Sequence, residues 1–160
     1  AGVAQIPDSM ATAVLAGANA YMGSTFTGLA RAAFEEGLTY AKDRVQGGVP
    51  IVEHQLVQKK IFDMFLKVET ARQLSRATVL YNNRQQPPGT HYSISSKVYC
   101  TQAAFDVASD ALQLHGGYGL TKELLIEMLF RDARASMIED GSNDILSLTA
   151  ARRIIDQYVP

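Results

Sequence analysis

The chain has 160 residues, about the size of one domain, so we treat residues 1–160 as a single domain. Charged residues make up 19% of it and the net charge is −1, which argues against a disordered tail and against a surface that neutralises nucleic-acid phosphates. The single cysteine, Cys100, has no second thiol to pair with, which favours a reducing compartment, and no apolar run is long enough to cross a bilayer.

Helical patterns dominate the chain and strand-like alternation is almost absent, which predicts an all-α fold. The first helix is expected to begin at a cap on Asp8 or Ser9 and to reach about Lys42. Four glycines interrupt it: Gly17, Gly23, Gly28 and Gly37. Because glycine in a helix interior costs up to about 1 kcal/mol relative to alanine, we expect a close helix contact or a kink near Gly23.

The next segments are predicted to be a connecting loop, a second long helix and a surface loop. Two glycines and a proline break the first helix, so Arg44–Pro50 is predicted to be the connecting loop. The second helix is predicted from about Glu53 to Arg84, because apolar residues recur at three-to-four spacing, at Val57, Ile61, Phe65 and Val68. The polar, proline-rich segment Asn82–Tyr92 is predicted to be the surface loop.

Three further helices are predicted from their capping residues. Ser93 is expected to cap a third helix that runs to Leu114, and Thr121 a fourth with Glu123 in its first turn. Ser142 is expected to cap the last helix, whose apolar stripe comprises Ile145, Leu148 and Ile155. Three long and two shorter helices joined by modest loops favour an antiparallel, up-and-down helical bundle.

The segment QLHGGYG, Gln113–Gly119, places three glycines between the third and fourth helices. One glycine is enough to end a helix in the left-handed conformation. The other two leave room for a ligand to approach the backbone, although a glycine-rich turn without a preceding strand is not the βαβ fingerprint of dinucleotide-binding proteins. Spacing alone favours the helix cap, with a ligand-binding loop as the alternative.

The stretch QLHGGYGLTKELLIEMLFRDARASMIEDGSNDILSLTAARRII, residues 113–155, resembles the C-terminal signature of the acyl-CoA dehydrogenases. That family has a Gln-x-x-Gly-Gly-x-Gly turn, a helix, an Arg-Asp-Ala-Arg sequence, an acidic-Gly segment and an Arg-rich last helix. Upstream, AKDRVQGGVPIVEHQLVQKKIFDM, residues 41–64, is similar to the family's segment with Arg, Gln and Gly before Pro-Ile. The likeness keeps one register from about Gly28 to Ile155.

The resemblance implies the C-terminal helical domain of a larger flavoprotein, stacked with a second helical domain and a β domain. FAD would lie between subunits of a homo-oligomer, a tetramer by resemblance. Carried over by position, the residues that would contact FAD are Arg44, Gln46, Gln55, Gln113, Gly116, Gly117, Gly119, Ser142, Asn143 and Asp144. The first three would reach its phosphate or adenosine portion across a subunit interface, and the glycines would hold its pyrophosphate. Arginine and backbone N–H groups suit a pyrophosphate, and Ser142 can be both an FAD contact and an N-cap.

The family's catalytic base is the acidic residue before a glycine, which in register is Asp140 here, where many members have Glu. Dehydrogenation of an acyl-CoA thioester requires a base that removes an α proton while a hydride leaves the β carbon, so the carboxylate is expected in a dry pocket. Gly141 would contact the substrate. Because Asp is one methylene shorter than Glu and base placement is sensitive to shifts of about 1 Å, either the substrate is differently shaped or another residue supplies the base.

Two other interpretations of Asp140 are open. The nitroalkane oxidases share the fold, use Asp to deprotonate a nitroalkane, and have a segment similar to Glu53–Gln55. Against them, the double glycine and the RDAR sequence favour the dehydrogenases, and the Arg that those oxidases carry two turns after the Asp is Ser147 here. By spacing alone, Glu139 and Asp140 would be solvated acids ahead of a helix N-terminus. The surrounding match favours Asp140 as the base.

Several other residues are interpreted as structural. The three histidines, His54, His91 and His115, lack metal-ligand spacing, so no metal site is predicted. His115 is expected either to face the cofactor or to lie on the surface at a helix end. The RDAR sequence, Arg131–Arg134, is interpreted as an internal salt-bridge motif, and Cys100 as a small buried hydrophobic residue.

Two hypotheses of different classes follow. The first is an FAD-dependent acyl-CoA dehydrogenase with Asp140 as base, which needs a longer chain or a partner subunit to supply the other domains. Its expected partners are an acyl-CoA substrate, neighbouring subunits, and electron-transfer flavoprotein or oxygen as electron acceptor. The second is a non-catalytic helical subunit or oligomerisation module derived from the same family. The bacterial cytoplasm and the mitochondrial and peroxisomal matrices all fit the sequence.

Overall fold

The computed structural model describes residues 8–85 and 88–157, and over these ranges the fold is a bundle of five α-helices. The elements are α1 (Asp8–Asp43), β1 (Val45–Gln46), β2 (Val49–Pro50), α2 (Gln55–Arg84), α3 (Thr90–His115), α4 (Leu125–Ser136) and α5 (Asn143–Gln157), with 3-10 segments at Ile51–Glu53 and Gly116–Leu120. The predicted all-α, up-and-down class is therefore confirmed. The cap predicted at Asp8 or Ser9 lies outside the described side chains. No described helix is long and apolar enough to span a membrane.

Helix α3 is central, because it contacts each of the other four α-helices. Its alanine-rich face allows close packing, and the core around it includes Phe26 of α1, Met64 of α2 and Ile126 of α4. The predicted close contact at Gly23 is confirmed: a Cβ there would lie 2.3 Å from Ser96 Oγ and 3.1 Å from the Ser96 carbonyl carbon. Glycine at this position therefore sets the approach of α1 to α3.

Cys100 is a buried packing residue, as predicted. It is fully buried beside Ala71 and Ala103, with its Sγ 3.5 Å from the Ala71 carbonyl oxygen. Burial raises the pKa of the Cys100 thiol, so the unreactive protonated form is favoured.

The predicted connecting loop after α1 contains a short β-hairpin, which the sequence analysis did not predict. Strands β1 and β2 pair antiparallel. The two residues that join them, Gly47 and Gly48, have φ values of 66° and 86°. A two-residue hairpin turn with positive φ at both positions strongly favours glycine, so the same residues that break the helix also form the turn.

The predicted N-cap at Ser93 is wrong, because α3 begins three residues earlier, at Thr90. Ser93 lies inside the helix, where its hydroxyl donates to the Gly89 carbonyl at 3.0 Å and accepts a bond from the Asn82 amide at 2.8 Å. Serine hydroxyls bond to the carbonyl four residues back as readily as they cap a helix. The residue type alone therefore did not fix the helix start.

The predicted N-cap at Thr121 is also wrong. Helix α4 begins at Leu125, and the acidic residue in its first turn is Glu127, while Glu123 precedes the helix. The Thr121 hydroxyl donates to the Tyr118 carbonyl at 2.9 Å. Thr121 therefore ends the preceding 3-10 segment, which the sequence analysis did not predict.

The two predicted apolar faces differ in burial. Of the predicted positions on α2 only Phe65 is exposed, by 47%, and the other three are half-buried or buried. The predicted stripe of α5 is exposed, by 62% at Ile145, 61% at Leu148 and 82% at Ile155. Periodicity identifies an apolar face but does not say what covers it. Exposed apolar surface of this extent is typical of interaction sites.

Candidate functional site

A cavity of about 400 Å³ lies where the β-hairpin meets the C-terminal end of α3. Four residues predicted to contact a cofactor line it: Arg44, Gln46, Gly116 and Gly117. Tyr40, His115 and Tyr118 also line it. An arginine, accessible backbone and aromatic side chains thus share one concave surface.

The three glycines of the segment Gly116–Gly119, called here the glycine turn, differ in their surroundings. Gly116 has φ 61° and its N–H donates to the Gln113 carbonyl, so it ends α3 as the cap interpretation predicted. No atom lies within 4 Å of a Cβ built on Gly117, so its backbone is open to a ligand. Gly119 is buried, and a Cβ there would lie 2.9 Å from both His115 Cβ and the Leu112 carbonyl oxygen. The cap and ligand interpretations therefore fit different glycines.

His115 is buried, so the expectation of a surface histidine is wrong. It is 5% exposed, and its ring lies 4.2 Å from the Tyr40 ring, centroid to centroid. Its Nδ1 lies 2.8 Å from the Ala111 carbonyl oxygen. Because a carbonyl oxygen can only accept, Nδ1 carries the proton, and the ring forms a fixed part of the cavity wall.

Three other cofactor residues predicted in this part of the chain do not line the cavity. Gln55, the first residue of α2, and Gln113, in the last turn of α3, are exposed, and Gly119, the last glycine of the glycine turn, is buried. His54, next to Gln55, has its Nε2 3.0 Å from the Gln46 carbonyl oxygen. This bond fixes the start of α2 against the hairpin.

The predicted base lies in a second turn, between α4 and α5, called here the acidic turn (Glu139–Gly141). Asp140 has φ 52°, the one positive φ at a non-glycine residue in the described ranges, and Gly141 has φ 98°. A left-handed residue other than glycine costs about 1–2 kcal/mol, and less for aspartate. Asp140 is exposed, so the described residues do not form the dry pocket that a base requires.

Lys97 of α3 holds the acidic turn, and sequence analysis did not identify it. Its side chain is fully buried, and its Nζ donates to the Gly141 carbonyl and to Asn143 Oδ1, each at 2.8 Å. Burial lowers the pKa of Lys97, and the nearby charges of Asp140 and Glu139 raise it. The sequence does contain a signal of this burial. Lys97 lies three to four residues from other buried residues of α3, such as Ile94 and Thr101, and is therefore a charged residue on a buried helix face.

The residues that open α5 have distinct environments. Ser142 Oγ accepts a bond from the Ile145 N–H at 3.5 Å, as an N-cap would. The Asn143 amide turns inward, and its Nδ2 donates to Thr101 Oγ1 at 3.0 Å. Asp144 is exposed and borders an open groove of about 590 Å³ between α3 and α5.

The predicted site residues therefore fall into two groups at opposite ends of α3. Lys97, which contacts the acidic turn, lies near the N-terminal end, and His115, at the cavity, is the last residue. At a rise of about 1.5 Å per residue the two lie about 27 Å apart along the helix axis. One chain does not bring Asp140 and the glycine turn into a single site.

The RDAR sequence has a local structural role. Arg131 Nε donates to Glu127 at 2.6 Å one turn earlier, and this bond lowers the pKa of Glu127 and raises that of Arg131. The Arg134 guanidinium lies 5.8 Å from the centroid of the Phe105 ring. The salt-bridge interpretation is confirmed for Arg131. No group of three or more His, Cys, Asp or Glu side chains in the described ranges is arranged to hold a metal ion.

Comparisons with known proteins identify the family of the chain and its fold. The family model described as "Acyl-CoA dehydrogenase, C-terminal domain" matches residues 9–155. The chain is 35% identical over 137 residues to cyclohexane-1-carbonyl-CoA dehydrogenase of Geobacter metallireducens, covering 85% of this chain and 36% of that protein. The chain thus spans about a third of the length of that curated relative.

Solved structures share the fold. Butyryl-CoA dehydrogenase of Megasphaera elsdenii superposes with a TM-score of 0.87 at 27% identity, over 91% of this chain and 38% of that one. A nitroalkane oxidase active-site mutant crystallised with 1-nitrooctane superposes with a TM-score of 0.86 at 27% identity, over 94% of this chain and 36% of that one. Because the fold likeness is the same for both, the chemistry has to be distinguished by the site residues.

Proposed function

The chain belongs to the acyl-CoA dehydrogenase family as a C-terminal domain, and we propose that the native protein containing it is an FAD-dependent acyl-CoA dehydrogenase. In this proposal Asp140 is the catalytic base. The observation that supports it is the acidic turn: Asp140, which by sequence register corresponds to the family's base, carries an exposed carboxylate on backbone that a buried lysine holds. The other domains of the enzyme would cover Asp140 and exclude water.

The cavity at the glycine turn suits the pyrophosphate and adenosine portion of FAD. Its volume of about 400 Å³ lies in the range of ligand pockets, about 300–1,000 Å³, but near the lower end, as expected for part of a large cofactor. Arg44 would pair with the phosphates, and the open backbone at Gly117 would allow close approach. The aromatic rings of Tyr40 and Tyr118 would pack on the adenosine.

In this proposal each FAD molecule contacts two copies of the chain. The cavity and the acidic turn lie about 27 Å apart along α3, so a second copy is the simplest way to bring the two kinds of surface to the same cofactor. The exposed apolar residues of α2 and α5, such as Phe65 and Leu148, would be covered in such an oligomer. The homo-oligomer is therefore part of the proposal.

The reaction would be the α,β-dehydrogenation of an acyl-CoA thioester. Asp140 would take the α proton and become protonated, the electrons of that C–H bond would form the C=C bond, and the β hydrogen would leave as a hydride. When bound, FAD supplies the acceptor for that hydride. The shorter Asp side chain places the carboxylate about one methylene further from the substrate than Glu would, which favours an acyl group whose α carbon lies closer to the acidic turn.

The test is anaerobic titration of the native protein with a panel of straight-chain, branched and cyclic acyl-CoA thioesters, followed by the visible absorption of the flavin. Bleaching by one thioester supports the proposal. In Asp140→Asn the flavin bands are expected to persist while the bleaching rate falls by about 10²–10⁴, the range for loss of a general base. Glu139→Gln, a change to the neighbouring acid, is the matched control and is expected to retain most of the rate, because Glu139 is not the residue in register with the family's base.

A nitroalkane oxidase-like activity is the second candidate. It is favoured by Asp, rather than Glu, at the base position and by the fold likeness to a nitroalkane oxidase. The same titration includes a nitroalkane. Bleaching by the nitroalkane and by no thioester would replace the first proposal with this one, and the absence of flavin bands after FAD is supplied would favour a non-catalytic helical subunit.

A further inference from the structure

Lys97 is unusual because it is a charged side chain with no exposed surface and no carboxylate partner. None of the ion pairs in the described part of the chain involves it. Its Nζ instead donates to two neutral acceptors, the Gly141 carbonyl and Asn143 Oδ1. Burying an ammonium group without a direct counter-ion is costly, so its contacts merit a functional explanation.

Both acceptors lie just C-terminal to Asp140. Gly141 follows it directly, and Asn143 opens α5. Thr101, one turn along α3 from Lys97, accepts a bond from the Asn143 amide at 3.0 Å and donates to the Lys97 carbonyl at 2.8 Å. Two neighbouring residues of α3 therefore hold the segment that carries the base from its C-terminal side.

The acidic turn needs such a restraint. It contains two consecutive residues with positive φ, 52° at Asp140 and 98° at Gly141. The residues on either side of the turn are joined by one backbone bond, in which the Asn143 N–H donates to the Met137 carbonyl at 3.0 Å. A backbone conformation that is unfavourable for aspartate persists where surrounding contacts over-determine it, and Lys97 provides the contact from the rigid central helix.

The charge of Lys97 acts on the same turn. The carboxylates of Asp140 and Glu139 are close enough to interact with the ammonium group electrostatically. The ammonium group therefore interacts with the acidic turn through space as well as through its two hydrogen bonds.

We propose that Lys97 is a positioning residue for proton abstraction: its buried ammonium group ties the acidic turn to α3 and fixes where the Asp140 carboxylate lies. This inference rests on the proposed function, because a base position matters only if Asp140 is the base. Lys97 touches neither the substrate nor the cofactor in this proposal and acts through Gly141 and Asn143.

The experiment is single-turnover flavin reduction in the native protein and in Lys97→Met, at saturating acyl-CoA and per bound flavin. Methionine is unbranched like lysine and lacks only the terminal group, so the substitution removes the charge and both hydrogen bonds while most of the side chain is kept. A displacement of about 1 Å at a reacting group can cost about 100-fold in rate, so we expect a decrease of about 10- to 100-fold. FAD content and the apparent substrate Kd are expected to change by much less than the rate, although the two groups that Lys97 binds, on Gly141 and Asn143, belong to residues that the resemblance assigns to substrate and FAD contact.

Two readouts and a control variant separate positioning from a purely structural role. With α-deuterated substrate, a primary isotope effect at least as large as in the native protein is expected if proton abstraction is the slowed step. A purely structural role would lower the flavin content and leave the rate of the remaining holoenzyme unchanged, which would overturn the inference. Lys60→Met is the matched control, because Lys60 pairs with Asp110 between α2 and α3, and its flavin-reduction rate is expected to stay unchanged.

Hydrogen–deuterium exchange tests the tether without relying on activity. Peptides covering residues 138–144 are expected to exchange faster in Lys97→Met, while peptides from α2 are unchanged, and equal exchange in both proteins would overturn the inference. If the native protein bleaches with no thioester, the proposed function fails and the exchange result still reports on the tether. If Lys97→Met does not fold, Thr101→Val carries the test: a severalfold slower flavin reduction supports the inference, and an unchanged rate overturns it.

Discussion

The glycine turn and the acidic turn both follow a helix and both contain left-handed backbone, yet they are built in opposite ways. The glycine turn ends α3 with Gly116 and leaves Gly117 without neighbours on the cavity side. The acidic turn places an aspartate at positive φ and holds its flank with a buried lysine. The comparison teaches that the two turns differ in what surrounds their backbone: a Cβ added at Gly117 meets open space, whereas the backbone that follows Asp140 is held by Lys97.

The largest effect on the free energy of unfolding is expected from a substitution in the glycine turn. Gly119→Ala would place a Cβ 2.9 Å from His115 Cβ and from the Leu112 carbonyl oxygen. Because one of these neighbours is helix backbone, the structure has to shift, and overpacking of this kind costs about 1–3 kcal/mol. Urea unfolding of the native protein, followed by circular dichroism, measures the loss. A stability equal to that of the unmodified protein would mean that Gly119 is not a packing residue.

The same substitution two positions earlier should affect cofactor binding and not folding. Gly117→Ala adds a Cβ that meets no atom within 4 Å, so the unfolding midpoint is expected to stay the same. FAD affinity is expected to fall about tenfold, equivalent to about 1.4 kcal/mol, because the added methyl group occupies the space left for the pyrophosphate. Titration of the apoprotein with FAD measures this. Unchanged affinity would remove Gly117 from the proposed cofactor site and weaken the contrast between the turns.

The smallest effect concerns the strain in the acidic turn. Asp140→Ala and Asp140→Gly both remove the carboxylate, and they differ in the Cβ at φ 52°. Because alanine in the left-handed region costs about 1–2 kcal/mol and glycine does not, the glycine variant is expected to be more stable by about 1 kcal/mol. Thermal unfolding of the two variants side by side provides the comparison. A more stable alanine variant would indicate that the turn relaxes out of the left-handed conformation.

The sequence was sufficient to predict the number, order and approximate extent of the helices, because each long apolar pattern survives small errors in register. It was not sufficient for the helix starts at Thr90 and Leu125. Serine and threonine form local bonds inside helices and turns as well as at caps. The exposure of apolar residues on α2 and α5 was also not predictable, because apolar periodicity shows that a helix has an apolar face and does not show which element packs on it.

For the candidate site, sequence resemblance predicted which residues to examine but not how they group. That Arg44 and Gly117 line one cavity while Asp140 lies at the far end of α3 depends on the length of that helix and on how the chain folds back. Lys97 escaped notice because a lone lysine in a helix is usually solvated. Its position among buried residues of α3 is a signal that the sequence carries, and the structure adds which groups its ammonium binds.

The separation between the cavity and the acidic turn along α3 has a genetic consequence. Suppose that each flavin uses the cavity of one copy and the acidic turn of another. A copy with a defective Arg44 then keeps an intact acidic turn, and a copy with a defective Asp140 keeps an intact cavity. A cell that makes both defective chains would form mixed assemblies, and some flavins in these would meet an intact residue of each kind. Two alleles of the same gene that are each inactive alone would then partly restore activity when both are expressed. The extent of the recovery would depend on how the two kinds of chain are arranged in the assembly.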